Sequence, residues 1–263
     1  MINHLYTNGC SWTAGNGIEF DPILSHIPWS EKYNYLNKLN WPSKLARHLN
    51  ITFTNEGMGA GSNKRIVRTT CNFLRNYPKK EYKNLLVVLG WTSVDRSEMY
   101  FKENEILKSW CMFNASQTAS SHGLLFRPDF SPNFLSKIDE WQKQYITDFY
   151  DEYPNYSYYF QEMYLMSNLL ENLGIKYVFF SSLPWKNSTS IKIILESFEE
   201  EIRELKKPNI LQTRECDDSL NVMSTFCLKN NLPIAADNHT MIEGHDKWAI
   251  HLFNAIKGIY PNI

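Results

Sequence analysis

Apolar runs and amphipathic stretches alternate along this chain. The runs Leu85–Leu89 and Tyr177–Phe180 are apolar throughout, which is typical of strands covered on both faces of a parallel sheet. Shorter runs at residues 2–7 and 51–55 predict two more strands. Apolar residues at helical spacing predict helices within residues 41–49, 62–73, 160–173, 191–206 and 244–257. We therefore expect an α/β fold with a central parallel sheet and helices on both of its faces.

Two stretches interrupt this alternation, at about residues 18–40 and 97–160. Since no repeat, low-complexity tract or linker divides the chain, we predict a single domain, residues 1–263, with helical insertions at these two places. Insertions that follow the carboxyl ends of strands commonly form the walls of the active site in an open α/β sheet. Both insertions are expected beside the site.

An aromatic-rich segment extends from Tyr145 to Tyr164 and carries nine tyrosines and phenylalanines. They are Tyr145, Phe149, Tyr150, Tyr153, Tyr156, Tyr158, Tyr159, Phe160 and Tyr164. A platform for sugar rings is one interpretation, because a flat ring packs against the apolar side of a pyranose. Burial is the favoured one, since aromatic clusters usually serve packing.

Composition and charge limit the classes of binding partner that we expect. With 43% hydrophobic residues over 263 positions, the chain has the composition of a soluble globular protein. Lysine and arginine number 27 against 28 acidic residues, so no positive field attracts nucleic acid or anionic lipid. We expect neither nucleic acid nor membrane as a partner.

The five cysteines are scattered and lack C-x-x-C spacing, which favours free thiols in a reducing compartment. No basic segment leads into an apolar stretch at the start of the chain, and no apolar run approaches the ~20 residues that span a bilayer. We therefore predict a cytoplasmic protein without a signal peptide.

The residues with the clearest chemistry lie near the two ends of the chain. Ser11 follows the first predicted strand and its Asn8-Gly9 turn, whereas Asp237 and His239 precede the last predicted helix. A serine hydroxyl is a poor nucleophile until a positioned imidazole takes its proton. Ser11, His239 and Asp237 are thus the candidate nucleophile, general base and orienting carboxylate. In an extended segment, residues two apart point to the same side, which would let Asp237 reach the imidazole.

His245 is the competing base, because it also lies near Asp237 and Glu243. Yet it shares a helical face with Trp248 and Leu252, which favours a packed histidine. No grouping of His, Asp and Glu has metal-ligand spacing. We expect catalysis without a metal or other cofactor.

Two further blocks follow predicted strands. The loop Gly57–Gly61 has three glycines in five positions, which lets backbone N–H groups approach a developing negative charge closely. Gly90-Trp91-Thr92 follows the apolar run of the third strand. Both blocks are expected at the same edge of the sheet as Ser11.

In this order the blocks resemble those of the SGNH (GDSL-like) hydrolase family, particularly its bacteriophage-type members with a Gly-Cys-Ser nucleophile block. The resemblance implies a flavodoxin-like three-layer α/β/α sandwich and a serine esterase that works through a Ser-His-Asp acyl-enzyme mechanism. The implied substrate is a small acyl ester or an acetylated carbohydrate that carries O-acetyl groups.

The resemblance also implies an oxyanion hole. One glycine of the loop donates a backbone N–H; Gly59 is preferred, and the alignment also permits Ala60 or Gly61. Thr92 stands where the family has an asparagine, and its hydroxyl reaches less far than a carboxamide. Asn63 is the candidate substitute donor, and a plain polar residue at a helix N-terminus is the alternative reading of Asn63.

Three departures from the family pattern keep other functions open: Cys10, Thr92 and the shortened Asp-x-His spacing. One alternative is a catalytically weak or inactive SGNH-fold structural or binding protein, a virion component if the chain is phage-encoded. Another is an acyltransferase that uses the same site.

Overall fold

The sheet at the centre of the molecule is parallel throughout. The structure is a computed structural model that describes residues 1–104, 108–114, 130–183, 193, 195–211 and 221–263. In chain order its strands are β1 (His4–Gly9), β2 (Thr52–Asn55), β3 (Leu85–Trp91), β4 (Arg96–Lys102), β5 (Lys108–Asn114) and β6 (Lys176–Ser181). Strands β2, β1, β3 and β6 form the central sheet in that order, and each neighbouring pair is parallel. The predicted α/β fold with a central parallel sheet is confirmed.

Helices cover both faces of this sheet. The described helices are α1 (Ser11–Ala14), α2 (Trp29–Leu39), α3 (Trp41–Leu49), α4 (Asn63–Asn76), α5 (Pro132–Asp148), α6 (Glu152–Asn172), α7 (Glu199–Glu204), α8 (Met223–Lys229) and α9 (Ile242–Ile259). In the described part of the chain, none of them combines the length and apolar character needed to cross a bilayer.

The strand residues alternate between two cores. In β3, Leu85, Val87 and Leu89 pack in one core with residues of α4, α6 and α7. Leu86 and Val88 face the other core, which α3, α8 and α9 complete. This alternation explains why the strand sequence is apolar throughout, since both of its faces are buried. We retain the single domain as a proposal, because the first strand and the last helix share one of these cores.

Local sequence signals explain several helix starts. Asn40 caps α3 by accepting the backbone N–H of Ser43, and Pro42 lies in the first turn. Ser62 caps α4 by accepting the N–H of Arg65 at 3.2 Å, as the sequence predicts. Helix α9 begins at Ile242, two residues before the predicted start, so Gly244 lies within its first turn.

The two insertions differ in kind. Residues 18–40 form short 3₁₀ turns followed by α2, in line with the helical prediction. The second insertion contains α5, but also an antiparallel hairpin of β4 and β5 that the hydrophobic pattern did not predict. Residues 105–107 and 115–129 of this insertion lie outside the described residues, as does the start of the helix predicted at 191–206.

The aromatic-rich segment divides between core and surface. Tyr156, Tyr159 and Phe160 are buried in the core beside β3 and β6. Phe149, Tyr153, Tyr158 and Tyr164 are exposed. Packing therefore accounts for only part of this segment.

Two glycines lie side by side near the carboxyl ends of β1 and β3. Gly9 of β1 pairs in register with Gly90 of β3. A Cβ atom on Gly90 would lie 2.7 Å from the ring of Phe180 and 2.8 Å from Ser182 Oγ. Because a side chain does not fit there, glycine lets β3 and β6 approach each other beside the start of α1.

We predict that Gly90→Ala lowers the free energy of unfolding by about 1–3 kcal/mol, because the methyl group overpacks this junction. The matched control is Gly258→Ala in α9, where an added Cβ meets nothing within 4 Å. That change should raise stability by roughly 0.5–1 kcal/mol through helix propensity. Urea denaturation of both variants measures the difference, and equal effects would contradict the packing argument.

His245 links α9 to α3 in the interior. Its side chain is fully buried, and Nδ1 accepts the backbone N–H of Trp41 at 3.3 Å. Burial lowers the pKa of His245 to about 3, since a charged imidazole would lose its hydration. The imidazole is therefore neutral in the folded protein at neutral pH, in a packing position as the sequence favoured.

This burial predicts a loss of stability in acid. Between pH 6.5 and about 3 the unfolded chain binds a proton at His245 that the folded protein does not, so the free energy of unfolding falls as pH decreases. From pH 6.5 to 4.5 we expect the wild type to lose about 2 kcal/mol more than His245→Asn, whose amide oxygen replaces Nδ1 as acceptor. Denaturation at several pH values measures this. The exposed His26→Asn serves as control, and parallel pH profiles for wild type and His245→Asn would contradict the account.

Candidate active site

The carboxyl edge of the sheet gathers the predicted site residues. Strands β1, β2 and β3 run in the same direction and end there. Ser11 follows β1, the Gly57–Gly61 loop follows β2, and Thr92 follows β3 directly. The segment before α9 brings His239 to the same place.

The hydroxyl of Ser11 and the imidazole of His239 are in hydrogen-bond contact. Ser11 Oγ lies 2.7 Å from His239 Nε2. Ser11 is the first residue of α1, and the residue as a whole is only 4% exposed. Cys10 precedes it, buried, and its carbonyl accepts the N–H groups of Thr13 and Ala14. The backbone around Ser11 is thus fixed by its own turn.

Asp237 lies on the other side of the imidazole. Its Oδ2 is 3.0 Å from His239 Nδ1. The two atoms are close enough for a hydrogen bond, but Nδ1 makes no well-directed one. The Asp237 side chain is 33% exposed, so water screens the pair.

The segment that holds these two side chains is a tight turn, and the expected extended segment was wrong. Asn238 has a φ of 63°, in the left-handed region that asparagine tolerates. Asp237 Oδ1 accepts the backbone N–H of His239 at 3.2 Å, and Ala235 N–H donates to the carbonyl of His239. This Asx-type turn, rather than the alternation of a strand, directs the carboxylate toward the imidazole.

Two residues that sequence reasoning missed pack against His239. The ring of Trp12 lies 5.5 Å from the imidazole, centroid to centroid. Gly17 has a φ of 98°, and a Cβ atom there would lie 2.8 Å from the Cβ of His239. The Gly15-Asn16-Gly17 triplet was the available signal, since two close glycines mark a backbone that approaches something.

The glycine loop folds over the end of β1. Met58 N–H donates to the carbonyl of Gly9 at 3.1 Å, and Gly61 N–H donates to the carbonyl of Met58 at 3.0 Å. Gly61 therefore has no N–H to spare for a ligand. Within the described residues, the backbone N–H groups of Ser11, Gly59 and Ala60 donate to no protein acceptor.

Asn63 and Thr92 bind each other through the Asn63 side chain. Asn63 Nδ2 donates to the Thr92 carbonyl at 3.0 Å, and Asn63 Oδ1 accepts the Thr92 N–H at 2.9 Å. The side-chain hydroxyl of Thr92 is buried and has no partner among the described residues. Of the two candidate donors, Asn63 thus has its amide engaged with backbone, while the hydroxyl of Thr92 is unpaired.

The described residues offer no alternative metal centre. They contain no group of three or more His, Cys, Asp or Glu side chains placed to bind a metal ion. The four described cysteines, Cys10, Cys71, Cys111 and Cys227, are free thiols, and Cys216 lies outside the described residues. Ser11, His239 and Asp237 place a hydroxyl, an imidazole and a carboxylate in consecutive contact.

Three solved structures show what the chain is similar to. A family two carbohydrate esterase from Clostridium thermocellum, in complex with cellohexaose, matches with a TM-score of 0.50 at 10% identity, over 98% of this chain and 65% of its own. A protein named as lipolytic, of the G-D-S-L family, from Desulfitobacterium hafniense DCB-2 matches with a TM-score of 0.41 at 13% identity, over 96% and 99%. An acetyl xylan esterase, Est2A, from Butyrivibrio proteoclasticus matches with a TM-score of 0.44 at 9% identity, over 98% and 64%.

The chain thus spans about two thirds of the length of the two carbohydrate esterases. At such low identity a structural likeness shows the fold alone, and the predicted α/β fold with a central parallel sheet is confirmed as one that this carbohydrate esterase shares. Comparison with curated proteins found no match. A family model matches residues 25–191, which is more than half of the chain. The chain belongs to the family described as a family of unknown function (DUF6071).

Proposed function

We propose that this protein is a serine esterase that cleaves small acyl esters through a covalent acyl-enzyme. The observation that carries the proposal is the 2.7 Å contact between Ser11 Oγ and His239 Nε2. A nucleophile within bonding distance of a base that is itself flanked by a carboxylate is the arrangement by which serine hydrolases activate their hydroxyl. The shared hydrolase fold agrees with this reading.

The proposed reaction has two stages. Ser11 Oγ attacks the ester carbonyl while His239 Nε2 takes the hydroxyl proton. When the tetrahedral intermediate collapses, the bond to the leaving alcohol breaks and His239 returns the proton to it. Water then attacks the acyl-enzyme with His239 as base, and the acid product leaves with Ser11 restored. Asp237 stabilises the imidazolium that forms in each stage.

The oxyanion needs donors that are free before the substrate arrives. The unpaired backbone N–H groups of Ser11 and Gly59 support these two as the principal donors. Thr92 is the third proposed donor, since its buried hydroxyl lacks a partner. Asn63 then acts as a positioning residue, because its amide fixes the Thr92 backbone on both sides.

The substrate class that we propose is an O-acetyl group on a carbohydrate. A short acyl chain suits a nucleophile that is nearly buried. An esterase that shares the fold was solved with cellohexaose, which agrees with a sugar as the alcohol part of the ester.

We predict that Ser11→Ala and His239→Gln each lower the turnover of p-nitrophenyl acetate by about 10³-fold or more, because either change removes the activated nucleophile. The control is Ser197→Ala, an exposed serine on another helix. Equal rates for wild type and Ser11→Ala would contradict the esterase and would favour a structural or binding protein.

The Asp237→Asn variant should show a smaller loss. Because this carboxylate is screened and poorly aligned with Nδ1, we expect kcat to fall by roughly 10–100-fold, less than the 10⁴-fold known for a buried triad aspartate. Glu243→Gln removes the same charge from a neighbouring exposed position and serves as control. If Asp237→Asn lowers kcat as much as His239→Gln does, the carboxylate contributes more to turnover than its exposed position predicts.

A further inference from the structure

A cavity of about 140 Å³ opens beside the glycine loop. Its walls include Met58 of the loop, Arg65 and Arg68 of α4, Glu98 of β4, and Trp110 and Met112 of β5. We call it the Arg65 cavity. None of its lining residues belongs to the proposed triad or oxyanion hole.

The Arg65 cavity lies close to the nucleophile. Its wall residue Met58 donates its N–H to the carbonyl of Gly9 at 3.1 Å. Ser11 follows Gly9 by two residues, which span at most about 7 Å. The glycine loop therefore joins a wall of the cavity to the end of β1, two residues before Ser11.

The β4–β5 hairpin gives one of its faces to the cavity. Its register pairs Glu98 with Met112 and Tyr100 with Trp110, and these residues lie on the same face. On the opposite face, Phe101 and Phe113 pack against Trp141 of α5. The helix thus supports the hairpin from behind and leaves the Trp110 face toward α4.

The charged side chains that line the cavity are two arginines and one glutamate, so their net charge is positive. Arg68 donates two hydrogen bonds to Glu98, both at 2.8 Å, and its guanidinium lies 4.4 Å from the centre of the Trp110 ring. This bidentate pair neutralises the carboxylate of Glu98. Among the lining residues, Arg65 adds a second positive charge to this pair. The carboxylates of Glu98, which Arg68 already binds, and of Glu56, which does not line the cavity, interact with Arg65 only electrostatically.

Arg65 also has donors to spare. One terminal nitrogen donates to Asn8 Oδ1 and to the Glu56 carbonyl, at 3.3 Å and 2.9 Å. Within the described residues, its other two nitrogens donate to no protein acceptor. Partial burial lowers the pKa of Arg65, while the nearby Glu56 and Glu98 carboxylates act in the opposite direction.

The other charged groups nearby do not occupy the free donors of Arg65. Glu56 interacts with Arg65 electrostatically, but among the described residues only its backbone carbonyl accepts a hydrogen bond from the guanidinium. Lys64 lies over the ring of Tyr158, at 5.2 Å from its centre. Glu162 interacts with Lys64 and Glu98, and burial raises the pKa of Glu162 to about 7. This carboxyl is therefore largely protonated in mildly acidic solution and partly so at neutral pH.

We propose that the Arg65 cavity binds the carboxylate of an acidic sugar residue in the ester substrate. The proposal rests on the proposed esterase function and narrows its substrate to acylated acidic carbohydrate. The planar fork of Arg65 matches the two oxygens of a carboxylate. Trp110, which carries Arg68 on one face of its ring and is 38% exposed, and Tyr100, which lies beside the cavity and is 53% exposed, supply aromatic surface for the apolar face of a pyranose.

The test compares two probes that differ only in the acidic group. Methyl β-D-glucuronide carries a carboxylate where methyl β-D-glucoside carries a hydroxymethyl group, and neither is an ester. By titration calorimetry of the wild-type protein at low salt, we expect the glucuronide to bind at least about tenfold more tightly, as a charge-assisted hydrogen bond provides. Equal affinity for the two probes, or no binding of either, would overturn the proposal.

Substitutions of two arginines test whether the glucuronide binds in the Arg65 cavity. Arg65→Gln should reduce the preference for the glucuronide to below about twofold, whereas Arg65→Lys retains the charge and part of the preference. Arg75→Gln removes the same charge from the exposed end of α4, where its partner is Asn72, and should leave the preference unchanged. If Arg75→Gln lowers the preference as much as Arg65→Gln does, the Arg65 cavity is not the site. Should Arg65→Gln fail to fold, Arg65→Lys and the wild-type comparison still decide.

The two proposals fail separately. Selective binding of the glucuronide by a protein without ester turnover would retain the Arg65 cavity and overturn the esterase. Turnover of p-nitrophenyl acetate together with equal binding of both glycosides would retain the esterase and overturn the cavity assignment.

Discussion

The hydrogen bond between Ser11 and His239 joins two side chains from opposite ends of the chain, and it depends on the direction of the sheet. Because β1 and β3 are parallel neighbours, their carboxyl ends and the loops that follow them meet at one edge. Gly9 ends β1, and Gly90 pairs with it one residue before the end of β3; since neither carries a side chain, room is left for the first turn of α1. Helix α9 packs on the same sheet through Trp248 and Leu252. The packing of α9 on the sheet thus places the segment before it, with the imidazole of His239, beside Ser11.

The loops around the nucleophile hold one another through backbone contacts. The glycine loop binds the end of β1, and Asn63 binds the residue that follows β3. Gly17 packs against the His239 segment, and Asp21 accepts the first N–H of α9. Such interlocked backbone keeps N–H donors fixed before a substrate binds, which is what electrostatic stabilisation of an oxyanion requires.

Much of this fold could be predicted from the sequence, because its strands are buried on both faces and therefore read as continuous apolar runs. Block order also predicted which loops lie at the carboxyl edge. The β4–β5 hairpin was missed because its strands carry charged and aromatic residues, such as the buried Glu98 and the exposed Tyr100, that do not form a simple apolar pattern. The turn at Asn238 was missed since its conformation depends on a side chain that bonds the backbone two residues on. Pairings across the molecule, such as Asn63 with Thr92 or Arg65 with Asn8, have no local signal at all.

The central claim is that His239 activates the hydroxyl of Ser11. Treatment with a fluorophosphonate followed by peptide mapping tests it most directly, since this reagent forms a covalent adduct only with an activated nucleophile. The account predicts one adduct, on Ser11, and at least about 10³-fold slower labelling in His239→Gln. An adduct on another residue, no adduct, or equally fast labelling without His239 would contradict it.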